Sequence, residues 1–257
     1  MSDPWLAGHP YERYIGRWSR PVARELVGWL DVPPGSAWLD VGCGTGGLTE
    51  TLVRVASPSA VVGVDPSPGF VRFARAHVAG ASFAVADARS LPFGDGRFDA
   101  AVAGLVLNFV PDPLAAVLEM RRVARHRLAA YVWDYAGEMQ LLRRFWDAAV
   151  ALDPDAVTKG EGVRFPLCDP AALADLLTGS GLRSVEVRAI DVTMVFRDFD
   201  DLWEPFLGGQ GPAPGYVAGL HEHARVLLRE RLRASLAQEP DGAIHLVARA
   251  WAVRGRT

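Results

Sequence analysis

The sequence predicts an α/β fold with a doubly wound, mostly parallel β-sheet. Short apolar runs alternate with helical patterns over the first half of the chain, and strands that are apolar on both faces are typical of a sheet covered by helices on both sides. A glycine-rich turn follows the first run, and an aspartate lies at or just beyond the end of three runs. Because ligands of such sheets bind at the carboxyl edge of the strands, we expect a functional site there.

Each element is predicted from its own local pattern. Trp18, Val22, Leu26 and Leu30 are four residues apart, which makes one helical face apolar. Ser67 followed by proline is the expected N-cap and first position of a helix. The predicted strands are 37–41, 60–64, 82–86, 98–103, 128–133, 185–196 and 244–253, and the predicted helices are 18–30, 46–56, 67–79, 112–124, 138–152, 169–180 and 217–236.

Length and composition fit a single domain over residues 1–257. Half of the residues are apolar and 22% are charged, and a chain of this size can bury a substantial core. Beyond residue 133 the regular alternation ends, and we expect 198–206 to be irregular and 208–216 to be a loop rich in glycine and proline. We expect segments of about 1–20, 137–165 and 197–236 to form a small, mainly helical cap that covers a substrate.

Charge and cysteine content restrict the partners. The formal net charge is −3, which gives no support for a nucleic-acid partner. Two cysteines without a Cys/His cluster predict neither a disulfide framework nor a metal site, and His221 and His223 would point to different faces of a helix. The N-terminus lacks the zones of a signal peptide, and the longest apolar run, 100–110, is too short to cross a bilayer. We expect a cytoplasmic bacterial protein with no membrane partner.

The turn after the first strand can be read in two ways. In WLDVGCGTGG (38–47) the glycines satisfy both the dinucleotide pattern GxGxxG and the pattern GxGxG. A dinucleotide places its pyrophosphate at the N-terminus of the following helix, where the carboxylate of Asp40 would repel it. S-adenosylmethionine has no phosphate and carries an ammonium and a sulfonium, so Asp40 favours that cofactor.

Two more aspartates extend the pattern. Asp65 in VVGVDPS lies about twenty residues beyond the loop, where a carboxylate accepts the ribose hydroxyls of either class of cofactor. Asp87 in SFAVADA could accept a hydrogen bond from an adenine amino group. Any one of these acids alone is better explained as a helix cap or a turn residue. Three acids after three successive strands indicate a ligand site at one edge of the sheet.

Together these motifs resemble the class I S-adenosylmethionine-dependent methyltransferases, in particular the small-molecule group that includes the ubiquinone and menaquinone biosynthesis enzymes. LDVGCGTG, GVDPS and ADA match the first three motifs, and FDAAVAGLVLNFVPDP with EMRRV matches the region of the fourth strand. The resemblance covers residues 37–133. It implies a Rossmann-like, seven-stranded sheet whose last strand is antiparallel, and methyl transfer from S-adenosyl-L-methionine to a small-molecule acceptor.

The resemblance also implies roles for individual residues. The residues that it implies for cofactor binding are Asp40, Gly42, Cys43, Gly44 and Gly46 in the loop, Asp65 and Pro66 at the ribose and adenine, Asp87 and Ala88 at the adenine, and Ala103, Gly104 and Phe109 at the amino-acid end. One departure concerns the family's Arg-Pro-Gly-Gly turn before the fifth strand. The segment RRVARHRL (121–128) lacks it and is about two residues shorter, which puts stability or strand register in doubt rather than binding.

Methyl transfer from a sulfonium is an in-line displacement by an activated donor, so the protein must chiefly align the partners and exclude water. A weak nucleophile also needs a base. We predict Asp134 in YVWDYAG and Asn108 as catalytic residues, because they follow the fifth and fourth strands. The aromatic residues predicted to line a substrate cavity, with core packing as the alternative for each, are Tyr14, Trp18, Trp133 and Tyr135.

Three other functional classes compete with this hypothesis. A nicotinamide-dependent oxidoreductase is disfavoured by Asp40. A nucleic-acid or protein methyltransferase would show a basic face or an Asn/Asp-Pro-Pro-aromatic motif, and LNFVPDP is not that motif. A cofactor-binding sensor or inactive homologue would keep the motifs but lack a cavity beside the sulfonium. The sequence leaves open the acceptor, the atom that is methylated and the oligomeric state.

Overall fold

The computed structural model describes residues 15–208 and 211–257. Within these residues, seven strands form one sheet. The strands are β1 (Ala37–Val41), β2 (Ala60–Asp65), β3 (Ser82–Val85), β4 (Phe98–Gly104), β5 (Ala124–Trp133), β6 (Arg183–Phe196) and β7 (Ile244–Arg256). The spatial order is β3-β2-β1-β4-β5-β7-β6. The predicted doubly wound α/β class is confirmed.

Helices cover both faces of this sheet. They are α1 (Arg17–Leu30), α2 (Gly47–Val55), α3 (Pro68–His77), α4 (Pro113–Val123), α5 (Gln140–Val150), α6 (Glu161–Arg164), α7 (Pro170–Gly179), α8 (Phe199–Trp203), α9 (Pro212–Gly219) and α10 (Glu222–Ala234). Short 3-10 turns lie at Leu107–Phe109, Pro154–Lys159, Pro166–Cys168 and Glu204–Gly208.

The strand directions create a binding edge. β1 pairs in parallel with β2 on one side and with β4 on the other, so Asp40 lies between Gly63 and Val102. Because the strand order reverses between β1 and β4, their carboxyl ends form the switch point at which such sheets bind ligands. β7 is antiparallel to both β5 and β6, which confirms the expected antiparallel last strand.

The core has one layer on each face of the sheet, as strand alternation requires. On β5, Leu128 and Ala130 pack into the layer that contains α4 and α7. The intervening residues Ala129, Tyr131 and Trp133 pack into the opposite layer, which contains α1 and α5. We call α5, α6 and α8–α10 the insert helices, because they lie between the last three strands of the chain. Several of them extend the second layer.

The structure shows how the chain passes from α4 to β5 without the family's Arg-Pro-Gly-Gly turn. α4 ends at Val123 and β5 begins at Ala124, four residues earlier than predicted. The pairing of β4 with β5 shifts between Phe98 and Ala100, which is a β-bulge. The amide of Gly96 donates to the Arg122 carbonyl oxygen at 2.8 Å, and the Arg122 guanidinium contacts Asp95 at 2.8 Å. The shortened turn is accommodated far from the glycine loop.

Three predictions for the second half of the chain are wrong. The segment 208–216 contains the start of α9, because Pro212 occupies a first helical position, where no amide hydrogen is needed. The single helix predicted over 217–236 is two helices, since the ring Nδ1 of His221 accepts from the Ala224 amide at 3.2 Å and starts α10. The segment 198–206 is also more regular than expected, since Asp198 caps the short helix α8.

Across the described residues, no helix has both the length and the apolar character that crossing a bilayer requires.

Candidate active site

A cavity of about 470 Å³ opens at the carboxyl edge of the sheet, beside the turn between β1 and α2. The ends of β2 and β4 and the segments that follow β3 and β4 complete its walls. The predicted cofactor residues that line it are Asp40, Gly42, Cys43, Gly44, Asp65, Pro66, Asp87, Ala88, Gly104 and Phe109. The structure therefore brings ten of the twelve predicted residues into one cavity.

The loop glycines are required by backbone shape and close packing. Gly42 has φ +73°, and an added Cβ would lie 2.3 Å from a Val106 methyl carbon. Gly44 has φ +51°, and a Cβ there would meet no atom within 4 Å, so it would project into open space. Gly46 is the left-handed N-cap of α2 and packs against Val78. Gly46 therefore packs on the side of the loop that faces away from the cavity. Ala103 on β4 is fully buried and does not line the cavity either.

Asp40 has an unusual electrostatic environment. Its side chain is buried, with 1% of the residue exposed. Oδ2 accepts a 2.6 Å hydrogen bond from the Thr49 hydroxyl, whereas Oδ1 has no partner among the described residues. Burial raises the pKa of Asp40 to about 7, and the nearby charge of Asp65 adds to the shift. A cation in the cavity would supply the missing partner and favour the ionised carboxylate.

Asp65 holds the loop together. Its Oδ2 accepts from the Gly44 amide at 3.0 Å, and Oδ1 accepts from the Ser67 amide at 2.9 Å. Each carboxylate oxygen can accept a further hydrogen bond. The arrangement fixes the glycine turn relative to β2, and Asp65 lines the cavity.

Asp87 lies at the more exposed end of the cavity and is already paired. Arg89 binds it through two side-chain nitrogens, with an Nη2–Oδ2 distance of 2.6 Å. These hydrogen bonds lower the pKa of Asp87 to about 2. The pairing was not predicted, and it places the guanidinium of Arg89 in the cavity wall as well.

The two predicted catalytic residues lie outside this lining. Asp134 is buried, and its oxygens accept from the amides of Gly137 at 3.0 Å and Glu138 at 2.9 Å, so it closes the turn before α5. Asn108 donates through Nδ2 to the Cys168 sulfur at 3.3 Å, and its Oδ1 is buried without a partner among the described residues. Both side chains organise the loops at the ends of β4 and β5.

The predicted cavity aromatics are distributed differently from the expectation. Trp133 is 1% exposed and lies in the core, because its side of β5 is covered by α1 and α5. Trp18 packs edge-on against Phe196 at 5.6 Å between ring centroids. Tyr135 lies 5.8 Å from the ring of Phe165, and Tyr14 is outside the described residues. Core packing therefore accounts for Trp133 and Trp18.

Comparison with known proteins agrees with this geometry. Residues 39–127 match a family model described as a methyltransferase domain. A demethylmenaquinone methyltransferase of Roseiflexus castenholzii is 32% identical over 166 residues, which cover 59% of this chain and 70% of the relative. A 2-methyl-6-phytyl-1,4-hydroquinone methyltransferase of Synechocystis is 29% identical over 239 residues, covering 81% of this chain and 72% of the relative.

A solved structure shares the fold. A phosphoethanolamine N-methyltransferase of Haemonchus contortus, in complex with S-adenosylhomocysteine, superimposes with a TM-score of 0.53 at 17% identity. The match covers 93% of this chain and 52% of that one. The chain belongs to the class I S-adenosylmethionine-dependent methyltransferases. Some curated relatives match over shorter segments, and the chain covers only 32% and 51% of the length of two of them.

The cavity of this methyltransferase fits the cofactor that its family uses. Oδ1 of buried Asp40 has no hydrogen-bond partner among the described residues, which suits a cationic ligand. Because Gly44 has no side chain, a ligand can approach the backbone of the loop closely there. No group of three or more His, Cys, Asp or Glu residues that could hold a metal ion occurs in residues 15–208 and 211–257.

Sequence reasoning missed several lining residues of the methyltransferase cavity. They are Ser19, Thr45, Gly47, Leu48, Ser67, Phe70, Arg89, Leu105, Val106, Val110, Pro111 and Tyr131. Tyr131 could have been found, since it lies two residues before Trp133 on the same face of β5. The α1 residue Ser19 gave no local signal, because only the packing of α1 against the loop brings it to the cavity.

Proposed function

We propose that this protein transfers a methyl group from S-adenosylmethionine to a small, planar aromatic acceptor of the quinol type, by in-line displacement that depends mainly on positioning. The observation that carries the cofactor assignment is Asp40, a buried carboxyl with one unpartnered oxygen at the base of a glycine turn. The acceptor class is supported by an aromatic wall beside the cavity and by the quinone and hydroquinone substrates in the names of two relatives.

In this proposal, different residues bind different parts of the cofactor. Asp40 would hold the ammonium through Oδ1, which is free while Thr49 binds Oδ2, and Asp65 would hold the ribose hydroxyls. Asp87 and Ala88 would lie on the adenine side. When bound, the cofactor supplies a methyl group already activated by its sulfonium. The protein therefore has to orient the acceptor and exclude water rather than activate the donor.

The proposed acceptor wall consists of Phe109, Phe165 and Tyr135. Phe109 lines the cavity and is 53% exposed, which is unusual for a large apolar ring. Its ring centroid lies 5.0 Å from that of Phe165, which in turn lies 5.8 Å from Tyr135. Such a series of rings suits a flat apolar acceptor, because aromatic rings stack face to edge or offset at these distances.

The cap expected over 137–165 and 197–236 is part of this proposal. Phe165 comes from the first of these segments and reaches the cavity wall through Phe109. α6 is fixed beside α5 by buried Glu161, which accepts a hydrogen bond from the Trp146 indole. Burial raises the pKa of Glu161. We propose that the insert helices hold the acceptor wall in place and close the site to water.

The predicted catalytic residues are Asp134 and Asn108. A hydroxyl acceptor would need a base, and of these two residues only the carboxylate of Asp134 could take up a proton, because the amide of Asn108 is not basic. Both oxygens of Asp134 are occupied by backbone amides. The carboxylate is buried and held against the turn, outside the lining of the cavity. The arrangement therefore supports a reaction in which alignment contributes most of the acceleration.

The test is a methyl-transfer assay with S-adenosylmethionine and a naphthoquinol acceptor. We expect methylated product from the wild type. F109A and F165A should raise the acceptor KM several-fold. The Kd for S-adenosylmethionine should stay within about twofold in F165A, because Phe165 lies outside the lining of the cofactor cavity. V163A is a matched control, since Val163 lies two residues before Phe165 and is 69% exposed.

Two outcomes contradict separate parts of the proposal. Cofactor binding without turnover of any planar aromatic acceptor would overturn the acceptor class. Equal acceptor KM values for F109A, F165A and V163A would remove the aromatic wall from the site.

A further inference from the structure

A row of three arginines crosses the sheet at the edge opposite the glycine loop. Arg127 on β5 pairs directly with Arg256 on β7, and Arg256 pairs directly with Arg183 on β6. Side chains at directly paired positions lie on the same face of a sheet, where like charges repel each other. The fold itself gains nothing from this arrangement.

Other arginines of the same strands face acids. Arg254 is paired with Glu186 and forms an ion pair with it at 2.9 Å. Arg249 is paired with Asp191 and forms an ion pair with it at 2.7 Å. Two arginines of β7 are thus neutralised by acids directly opposite on β6, whereas the three arginines of the row lie opposite one another.

The arginines of this row have few partners. Neither Arg127 nor Arg256 has a side-chain hydrogen bond or ion pair with any part of the chain that the structure describes. Arg183 donates to the main-chain oxygen of Thr257 at 3.0 Å. Two guanidinium groups are therefore available to a ligand.

A local distortion brings Arg183 into the row. The pairing of β6 with β7 shifts between Arg183 and Glu186, and Ser184 within this bulge has φ +50°. A left-handed conformation is unfavourable for serine, and bulges re-aim the side chains beside them. Strained backbone of this kind is found where a side chain has to be presented in a particular direction.

The row borders a groove of about 660 Å³. Arg125 adds a fourth arginine to its lining, and the aspartates in it are Asp31 and Asp99. Asp99 is partly occupied, since it accepts from the Ala37 amide at 2.8 Å and lies 4.0 Å from the His126 ring. The groove therefore carries four arginines against two aspartates.

We propose that this groove binds a small, multiply charged anion that bears phosphate groups. Guanidinium groups bind phosphate oxygens through paired N–H donors and stay charged at every physiological pH. A compact ligand is favoured over a nucleic acid, because the chain has a net charge of −3 and two acids lie in the groove. The site lies at the amino ends of the parallel strands, away from the methyl-transfer cavity.

The experiment is calorimetric titration of the full chain with inorganic pyrophosphate at low salt, in the presence of saturating S-adenosylmethionine so that the glycine loop is occupied. We expect one site per chain, with binding weakened about tenfold or more in R127Q and in R256Q. R231Q is the matched control: it removes one arginine charge from α10, where Arg231 is exposed, and should bind like the wild type.

A second measurement separates loss of binding from loss of folding. Without ligand, R256Q should have an unfolding temperature equal to or above that of the wild type, since it relieves repulsion with both neighbours. Equal pyrophosphate binding by R127Q, R256Q and R231Q would overturn the proposal, as would no binding by the wild type. Binding to phosphatidylglycerol vesicles but not to pyrophosphate would assign the row to a membrane surface and also overturn it.

Discussion

At the residue scale, the side chain that decides the ligand class is Asp40. A buried carboxyl with only one hydrogen-bond partner is expensive to ionise, so the ionised form of Asp40 requires a compensating positive partner. A pyrophosphate would raise that cost, whereas an ammonium or sulfonium lowers it. Asp65 alone does not distinguish the two cofactor classes, because its backbone partners would be the same in either.

The affinity for S-adenosylmethionine should fall as the pH falls below about 7. The pKa of Asp40 is about 7, raised from 3.8 chiefly by burial. The carboxyl is therefore largely protonated below that pH, and a cation that binds the ionised form must displace the proton. We expect the dependence to approach tenfold per pH unit, measured by calorimetry from about pH 5.5 to 8.5.

Two variants control this pH dependence. D40N should bind weakly at every pH and show no slope, because the amide does not titrate. D87N should keep the slope, since the pKa of Asp87 is about 2 and lies below the measured range. A D40N protein with wild-type affinity and slope would contradict the role of Asp40.

Two glycines of one loop should respond differently to alanine. G44A has to place a side chain at φ +51° in open space, which costs about 1–2 kcal/mol. G42A adds a collision with Val106 at 2.3 Å and should lose roughly 2 kcal/mol more, as overpacking does. The free energy of unfolding from urea denaturation checks this. If G42A and G44A lose the same free energy of unfolding, the Val106 side chain moves aside without an energetic cost, which would contradict this prediction.

At the element scale, the loops after β4 and β5 contribute Phe109 and Tyr135 to the proposed acceptor wall. The predicted element types held where periodicity was strong, as in α1 with its apolar residues four apart. The prediction of one continuous helix was wrong around His221. There the helical sequence pattern continues, but the His221 side chain caps α10 and begins a second helix. The sequence left open whether Trp133 lines the cavity or packs in the core, because only the packing of α5 against β5 shows which face of β5 is core.

Asp134 should prove mainly structural when replaced. D134A loses two hydrogen bonds to backbone amides and should cost about 1–3 kcal/mol of unfolding free energy. If its role is to hold the turn, the pH profile of kcat/KM should keep its shape. D147A is the control, since Asp147 lies exposed on α5. A normal unfolding free energy with a large loss of kcat would instead make Asp134 the base.

At the scale of the whole molecule, the two edges of the sheet are chemically opposed. The carboxyl edge presents buried acids to a cationic cofactor, and the amino edge presents arginines at directly paired positions. The cofactor residues at the carboxyl edge could be predicted from the sequence, because glycines and aspartates follow the strands at fixed spacings. The acceptor wall and the arginine row could not, since Phe165 and Arg183 reach their places only through long-range packing and a strand bulge.

The most direct test is competitive calorimetric titration of the full chain with S-adenosylmethionine and with NAD at pH 8, where Asp40 is ionised. We predict one S-adenosylmethionine bound per chain and no binding of NAD, because the carboxylate attracts the first and repels the second. Binding of NAD without binding of S-adenosylmethionine would contradict the assignment of the cavity.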